Sequence, residues 1–395
     1  MKKFLLLTAL MAGAMTVNAQ NDFTVKEIAK LPVTNITTYN KGVCRSGYGF
    51  GDKFYMTDRD AKQLRVFNLA TGEEIAQKEI GENQALGHDE VGNAIIGNWG
   101  FGGSNNAGKK TTFTLISADL KKVVTTEEVN CIQGRGDYMG KAKGNVFGEE
   151  GATLLASGAA QPEEGIACYT FTGGETPMVQ HSYVYDPDGY FAKSNTITFN
   201  YYKDIDGSDR FSYFERQTPI TDFTFAEGDV NTDNAHQYTP EDRKPGVCNG
   251  GEIFVIGNRK FVVYGNSSAL TYVDGFSIAE IGADNKLTNV YSKAAESTNR
   301  ETSGFANWLN VEVLNDKQAK LYQYFPGGYM AEYGIAINGA DMPTGIAGVE
   351  NAAAKAVSTT YYTPAGVASK TAVKGLNIVV TKYADGSQKV VKVIK

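Results

Sequence analysis

The sequence predicts an all-β chain: a β-propeller of about six blades followed by a small C-terminal β-hairpin module. Three observations carry this. Short stretches alternate apolar and polar residues, as in Phe54 and Met56, then Leu64 and Val66. The 395 residues include 44 glycines and only 10 prolines, so turn signals punctuate the chain throughout. The strand–turn theme also returns every 40–50 residues or so, the period of a four-stranded blade.

The chain opens with MKKFLLLTALMAGAMTVNAQ: two lysines, an apolar run from Phe4, and small residues around Val17-Asn18-Ala19. This predicts a signal peptide over 1–19, cut before Gln20. The apolar run is too short to span a bilayer, and no cysteine follows the cut to carry a lipid.

From about Val43 to residue 340 the theme recurs in GYGFGDKFYMTDRDAKQLRVFNLATGEEI, in NAIIGNWG with KTTFTLISADLKKVVTTEEV, and in four later units beginning near Gly151, Asn195, Gly251 and Asn307. One such meander exposes an apolar face and two unpaired edges. Several packed around an axis bury the faces and protect the edges. A β-sandwich pair and a β-helix are the rival arrangements. No long helix is expected, because outside 350–357 no stretch holds a 3.6-residue apolar period without glycine.

After an alanine-rich linker over 341–358, residues 359–395 read as strand, turn, strand, turn, strand, with ADGS as the last turn. The aromatic pair and glycine turn in YYTPAG, then KGLNIVV, then the lysine–valine strand KVVKVIK resemble the C-terminal sorting domain of proteins exported by the Por, or type IX, system of Bacteroidetes. The likeness covers about the last 40 residues. It departs from that family in its shortness and in YYTPAG, where an aromatic-Asp-x-x-Gly turn is usual. The resemblance implies passage across the outer membrane, contact with the secretion machinery, and release or attachment at the cell surface. An ordinary terminal hairpin would leave the protein in the periplasm.

The formal charge falls from −6 to −8 once Lys2 and Lys3 leave with the signal peptide. From Tyr361 onward six lysines face one acid, Asp385, so this +5 tail follows a more acidic body. Nucleic acid is not an expected partner. Cys44, Cys131, Cys168 and Cys248 show no metal-ligand spacing and allow three disulfide pairings or buried free thiols.

Candidate chemistry is sparse. His88 stands beside Asp89 and Glu90, acids that could raise its pKa and make it a base, although a polar inter-blade turn explains GHDEVGN equally. GGSNNAGKKT fails as a phosphate loop, because Lys110 replaces the magnesium-binding hydroxyl and a strand follows. No G-x-S-x-G or H-E-x-x-H occurs. No cofactor is required, but two loops space oxygen ligands as a structural calcium site would: Asp204, Asp206 and Asp209, and Asp229, Asn231 and Asp233. Turns capped by Asx side chains are the alternative. Arg135-Gly136-Asp137 is a tripeptide of adhesion type that also arises by chance.

Trp99 with Phe101, Phe305 with Trp308, and Tyr201 with Tyr202 lie beside glycine- or asparagine-rich loops, where rings can stack on sugars; core filling accounts for them too. The expectation is a secreted or surface-associated, non-catalytic protein that binds an extracellular glycan or protein. A propeller glycoside hydrolase or polysaccharide lyase and a structural adhesion component are the alternatives.

Overall fold

The computed structural model describes residues 22–40, 43–98, 110–130, 138–157, 166–184, 198–214, 219–226, 229–240, 250–266, 272–296, 298–299, 307–343, 356–363, 366–383 and 388–394. The chain divides into two compact units between Gly345 and Ile346. Among the described residues the only helical segment is one 3-10 turn, Val33–Asn35, and no helix is long and apolar enough to cross a membrane.

The first unit is a six-bladed β-propeller. Blade 1 runs outward through Gly47–Phe50, Lys53–Asp58, Gln63–Asn68 and Glu74–Glu79. Blade 2 consists of Asn83–His88, Ala94–Asn98, Phe113–Ile116 and Val123–Thr125. In blade 3, Lys143–Gly144 is followed by Ala152–Ser157, Ile166–Phe171 and Val179–Val184. Blade 4 contains Thr198–Lys203, Asp209–Phe214, Ile220–Ala226 and Asp229–Tyr238. Blade 5 comprises Gly251–Ile256, Arg259–Gly265, Phe276–Ile281 and Leu287–Lys293.

Blade 6 takes three strands from the far end of the unit, Trp308–Asn315, Gln318–Phe325 and Tyr329–Ile337. Its outermost strand is Phe23–Pro32, from the start of the chain. Thr24 pairs with Ala336 and Leu31 with Met330, antiparallel, so the two ends of the unit are fastened into one sheet. The sequence reading begins its repeat near Val43 and misses this strand, whose partner lies some three hundred residues away.

Ring closure is visible in the core. Five apolar clusters sit between the sheets and join them in cyclic order. One links blades 6, 1 and 2 through Tyr324, Phe54 and Ile96. Leu115 and Leu154 belong to the cluster between blades 2 and 3, and Leu155 and Phe211 to that between 3 and 4. Phe214 with Ile253 joins 4 to 5, and Phe261 with Leu321 joins 5 to 6. Each large side chain buried this way stabilises the fold by about 1.5–3 kcal/mol. An isolated blade would expose both faces, so stability depends on the neighbours.

Blade 3 has a divided inner strand. Lys143–Gly144 pairs with its own sheet, whereas Tyr138–Lys141 lies parallel between the inner strands of blades 2 and 4. Such a close approach requires Gly140: its φ is +99°, and a Cβ there would fall 1.8 Å from the Phe199 carbonyl oxygen.

The second unit is a four-stranded antiparallel sheet in the order Ala368–Ser369, Ala356–Tyr362, Leu376–Tyr383, Gln388–Ile394. Its first strand begins inside the segment read as linker. The register sets Val379 opposite Val391 and Val380 opposite Val390. Asn377 is fully buried and ties down the preceding loop through the Val373 N–H and the Val373 and Gly375 carbonyls.

Deleting 22–32 should open blade 6 and leave no cooperative thermal transition for the first unit by circular dichroism. A shift of only a few degrees would mean that the closing strand is dispensable.

Candidate functional site: the axial cleft

The six inner strands are tied to one another at the axis by named polar contacts. Between blades 1 and 2, Tyr48 stacks on His88 with centroids 4.5 Å apart, and its hydroxyl donates to the Gly92 carbonyl at 3.1 Å. From blade 2 to 3, the Ala142 N–H donates to the His88 carbonyl at 2.7 Å, and the Tyr138 hydroxyl lies 3.0 Å from His88 Nδ1. Asn200 of blade 4 accepts from the Lys141 N–H at 2.9 Å and donates to the Gly251 carbonyl of blade 5 at 2.7 Å. Glu252 accepts from the Val311 N–H of blade 6 at 2.8 Å. Asn310 then closes the circle on Gly49, accepting from its N–H at 3.0 Å and donating to its carbonyl at 2.9 Å. A Cβ on Gly49 would meet Tyr322 at 2.0 Å, so glycine is required there.

One ion pair spans blades 3 and 5: Lys141 Nζ meets the fully buried Glu252 carboxylate. Burial raises the Glu252 carboxyl, and Lys141 acts in the opposite direction.

Above this floor opens a cleft of about 320 Å³ to which all six inner strands or the turns that follow them contribute. Phe50 comes from blade 1, His88, Asp89 and Glu90 from blade 2, and Lys141 from blade 3. Tyr201, Tyr202 and Lys203 belong to blade 4, Phe254 and Val255 to blade 5, and Val311, Glu312 and Val313 to blade 6. Glu90 accepts the Gly144 N–H at 2.6 Å; Glu312 accepts the Gly51 N–H at 2.8 Å and the Tyr322 hydroxyl at 2.7 Å.

Several sequence expectations are corrected here. His88 ends the inner strand Asn83–His88 and lines the cleft with Asp89 and Glu90, and the polar turn read in GHDEVGN follows it within blade 2. His88 is buried between Tyr48 and Tyr138, and burial lowers its pKa well below the usual histidine range, which keeps the ring neutral. Asp89 is consumed by the turn that follows: it accepts from the Val91, Asn93 and Val146 N–H groups and from Asn93 Nδ2. Trp308 is a core residue. It is 2% exposed, packs on Tyr138, and donates from Nε1 to the Arg45 carbonyl at 2.6 Å. Tyr201 and Tyr202 reach the cleft wall but are each 4% exposed, with their hydroxyls given to Asp209 and Asp222. Trp99, Phe101 and Phe305 lie outside the described residues, as do Arg135–Asp137, Cys131, Cys248 and the glycine-rich stretch through Lys109. Cys44 and Cys168 are buried free thiols.

The 204–209 loop is a hairpin turn. The Gly207 N–H donates to the Asp204 carbonyl at 2.9 Å, and Asp206 accepts the Ser208 N–H at 2.8 Å. Its remaining carboxylates face cations: Asp204 pairs with Lys260 and Arg210, and Asp209 with Lys143 and Lys203. A calcium cage needs these oxygens turned towards a common point, and ammonium groups occupy their lone pairs instead. Asp229, Asn231 and Asp233 lie in the extended strand Asp229–Tyr238, where the chain does not wrap. Among the described residues no group of three His, Cys, Asp or Glu is placed to hold a metal ion.

Sequence reasoning missed Lys141, Glu252, Asn200, Asn310 and Glu312. They occur singly in unrelated strands, and only the ring assembles them.

No protein-family model and no curated protein matches the sequence. Among solved structures the chain is similar to selenomethionine-substituted virginiamycin B lyase from Staphylococcus aureus, at 10% identity and TM-score 0.39 over 79% of this chain and 99% of that one. It is similar to the calcium-binding protein regucalcin from Agrobacterium tumefaciens, at 10% identity and TM-score 0.40 over 80% and 97%. Similarity to a luciferin-regenerating enzyme stands at 8% identity and TM-score 0.39 over 82% and 98%.

Two predictions follow from the site chemistry. Asn310→Ala leaves the Gly49 amide and carbonyl unpaired in a buried seam and should cost roughly 2–4 kcal/mol in urea denaturation. Burial pushes the Asp209 carboxyl up, but Lys143, Lys203 and Tyr201 outweigh it and hold the group at about 2 against an ordinary 3.8. Its contribution is therefore present above pH about 4 and lost as the pH falls through about 2. Asp209→Asn should flatten that part of the stability–pH curve and, in a partly exposed cluster, cost about 1 kcal/mol or less at neutral pH.

Proposed function

We propose that this chain is a secreted, non-catalytic binding protein that takes an extracellular glycan or protein at the axial cleft, with its C-terminal unit serving as an export signal of the type IX kind. The observation that carries the reading is the state of the cleft's polar groups. His88 is neutral and stacked, Asp89 is saturated by four donors, and Lys141 is paired with Glu252. Glu90 and Glu312 each hold a main-chain N–H. Groups fixed in this way present a constant surface, which suits recognition. The basic, lysine-rich strand at the end of the second unit and the N-terminal apolar run support export.

The test is a glycan array and a pull-down on the secreted chain, each run beside Phe50→Ala. Loss of at least tenfold in signal with an unchanged melting temperature is expected. Release of sugar product that Glu90→Gln or Glu312→Gln abolishes would replace this reading with a propeller hydrolase or lyase. Self-association without saturable binding would replace it with a structural surface component. Truncation after residue 345 should leave the protein in the periplasm; unchanged release to the medium would reject the export role.

A further inference from the structure

Within the binding reading above, the geometry points to a polypeptide ligand: a basic, aliphatic segment of a partner protein seated over the axial cleft. Among the described residues of the first unit, six large apolar side chains are exposed, and one of them lines this cleft while two more stand within two residues of lining positions. Val313, 43% exposed, lines it directly. Val91, 43% exposed, follows the lining residue Glu90, and Ile205, 51% exposed, lies two residues beyond the lining residue Lys203. They come from blades 6, 2 and 4, alternate blades of the ring, Val91 and Ile205 on the turns that follow inner strands.

Aliphatic side chains gain by covering other apolar side chains, whereas a sugar's hydroxyls would lose water against them. Stacking on exposed rings is the usual compensation, and here Trp308, Tyr201 and Tyr202 have their faces or hydroxyls committed to the protein itself.

The charge of the mouth selects the partner's sign. Glu90 and Glu312 line the cleft, and the hydrogen-bond partners they hold there are neutral: the Gly144 N–H for one, the Gly51 N–H and the Tyr322 hydroxyl for the other. Lys141 and Lys203 are already paired with Glu252 and Asp209. Among the described residues neither carboxylate is held in an ion pair; Lys141 and Lys143 act on Glu90 from a distance, each with its own carboxylate partner in Glu252 and Asp209. Once the signal peptide is removed, the chain before Tyr361 carries −13, which with the +5 beyond it gives the overall −8; long-range attraction favours a basic partner.

The probe is a fluorescein-labelled ten-residue peptide with two lysines, two valines and glycine spacers, titrated by fluorescence polarisation against the full mature chain. Saturable binding is expected, weakening with added salt. The double variant Ile205→Ser, Val313→Ser and, separately, Glu90→Gln with Glu312→Gln should each weaken it at least tenfold at unchanged melting temperature. Val123→Ser, an exposed apolar position on the outer strand of blade 2, should leave it unchanged. Absence of binding, equal binding of a peptide with glutamates in place of the lysines, or equal weakening by Val123→Ser would overturn the assignment. An oligosaccharide that binds saturably and is lost in Phe50→Ala, with no peptide bound, would overturn the peptide assignment alone and leave the binding reading standing.

Discussion

A buried seam of polar contacts at the axis is the constraint on which the rest of the structure depends. Inner strands of neighbouring blades bring main-chain donors and acceptors together where water cannot serve them, and each must find a partner. Tyr48, Asn200, Glu252 and Asn310 supply those partners at their junctions, the Ala142 N–H donates to the His88 carbonyl, and parallel pairing of Tyr138–Lys141 supplies the rest. Apolar clusters between the blades provide the bulk of the burial, but they are non-directional. The seam fixes register, and register decides which side chains reach the cleft.

The consequence for function is that the cleft is assembled from single residues of six strands or the turns beyond them. Lys141 meets Glu252 across the axis because Gly140 lets its strand lie between two others. Attachment of Glu90 and Glu312 to main-chain amides removes their freedom. A rigid charged mouth suits recognition, which is the role proposed for it.

The middle strands of blade 1 are legible in the sequence, and the axis is not. Phe54, Met56, Leu64 and Val66 alternate and are all buried, so blade 1 could be read directly. The inner strand ending in Gly87-His88 and the one around Met139-Gly140 are crowded on both faces and broken by glycine, so they carry no period. The closing strand Phe23–Pro32 was missed because its pairing is non-local. Among candidate site residues, His88, Asp89, Glu90, Tyr201 and Tyr202 do reach the cleft, whereas Trp308 does not: a tryptophan beside an asparagine-rich loop has the same composition whether its ring faces solvent or the core. At 204–209 the sequence offers a calcium loop and an Asx-capped turn alike, because it does not reveal that Lys143 and Lys260 arrive from other blades to pair with Asp209 and Asp204.

Amide hydrogen exchange at the axis tests the central claim most directly. The N–H groups of Gly49, Lys141 and Val311, which donate to side chains of neighbouring blades, are predicted to exchange as slowly as the mid-blade amide of Val263, through global unfolding alone. Exchange orders of magnitude faster than Val263 would contradict a closed seam and, with it, the ring that positions the cleft.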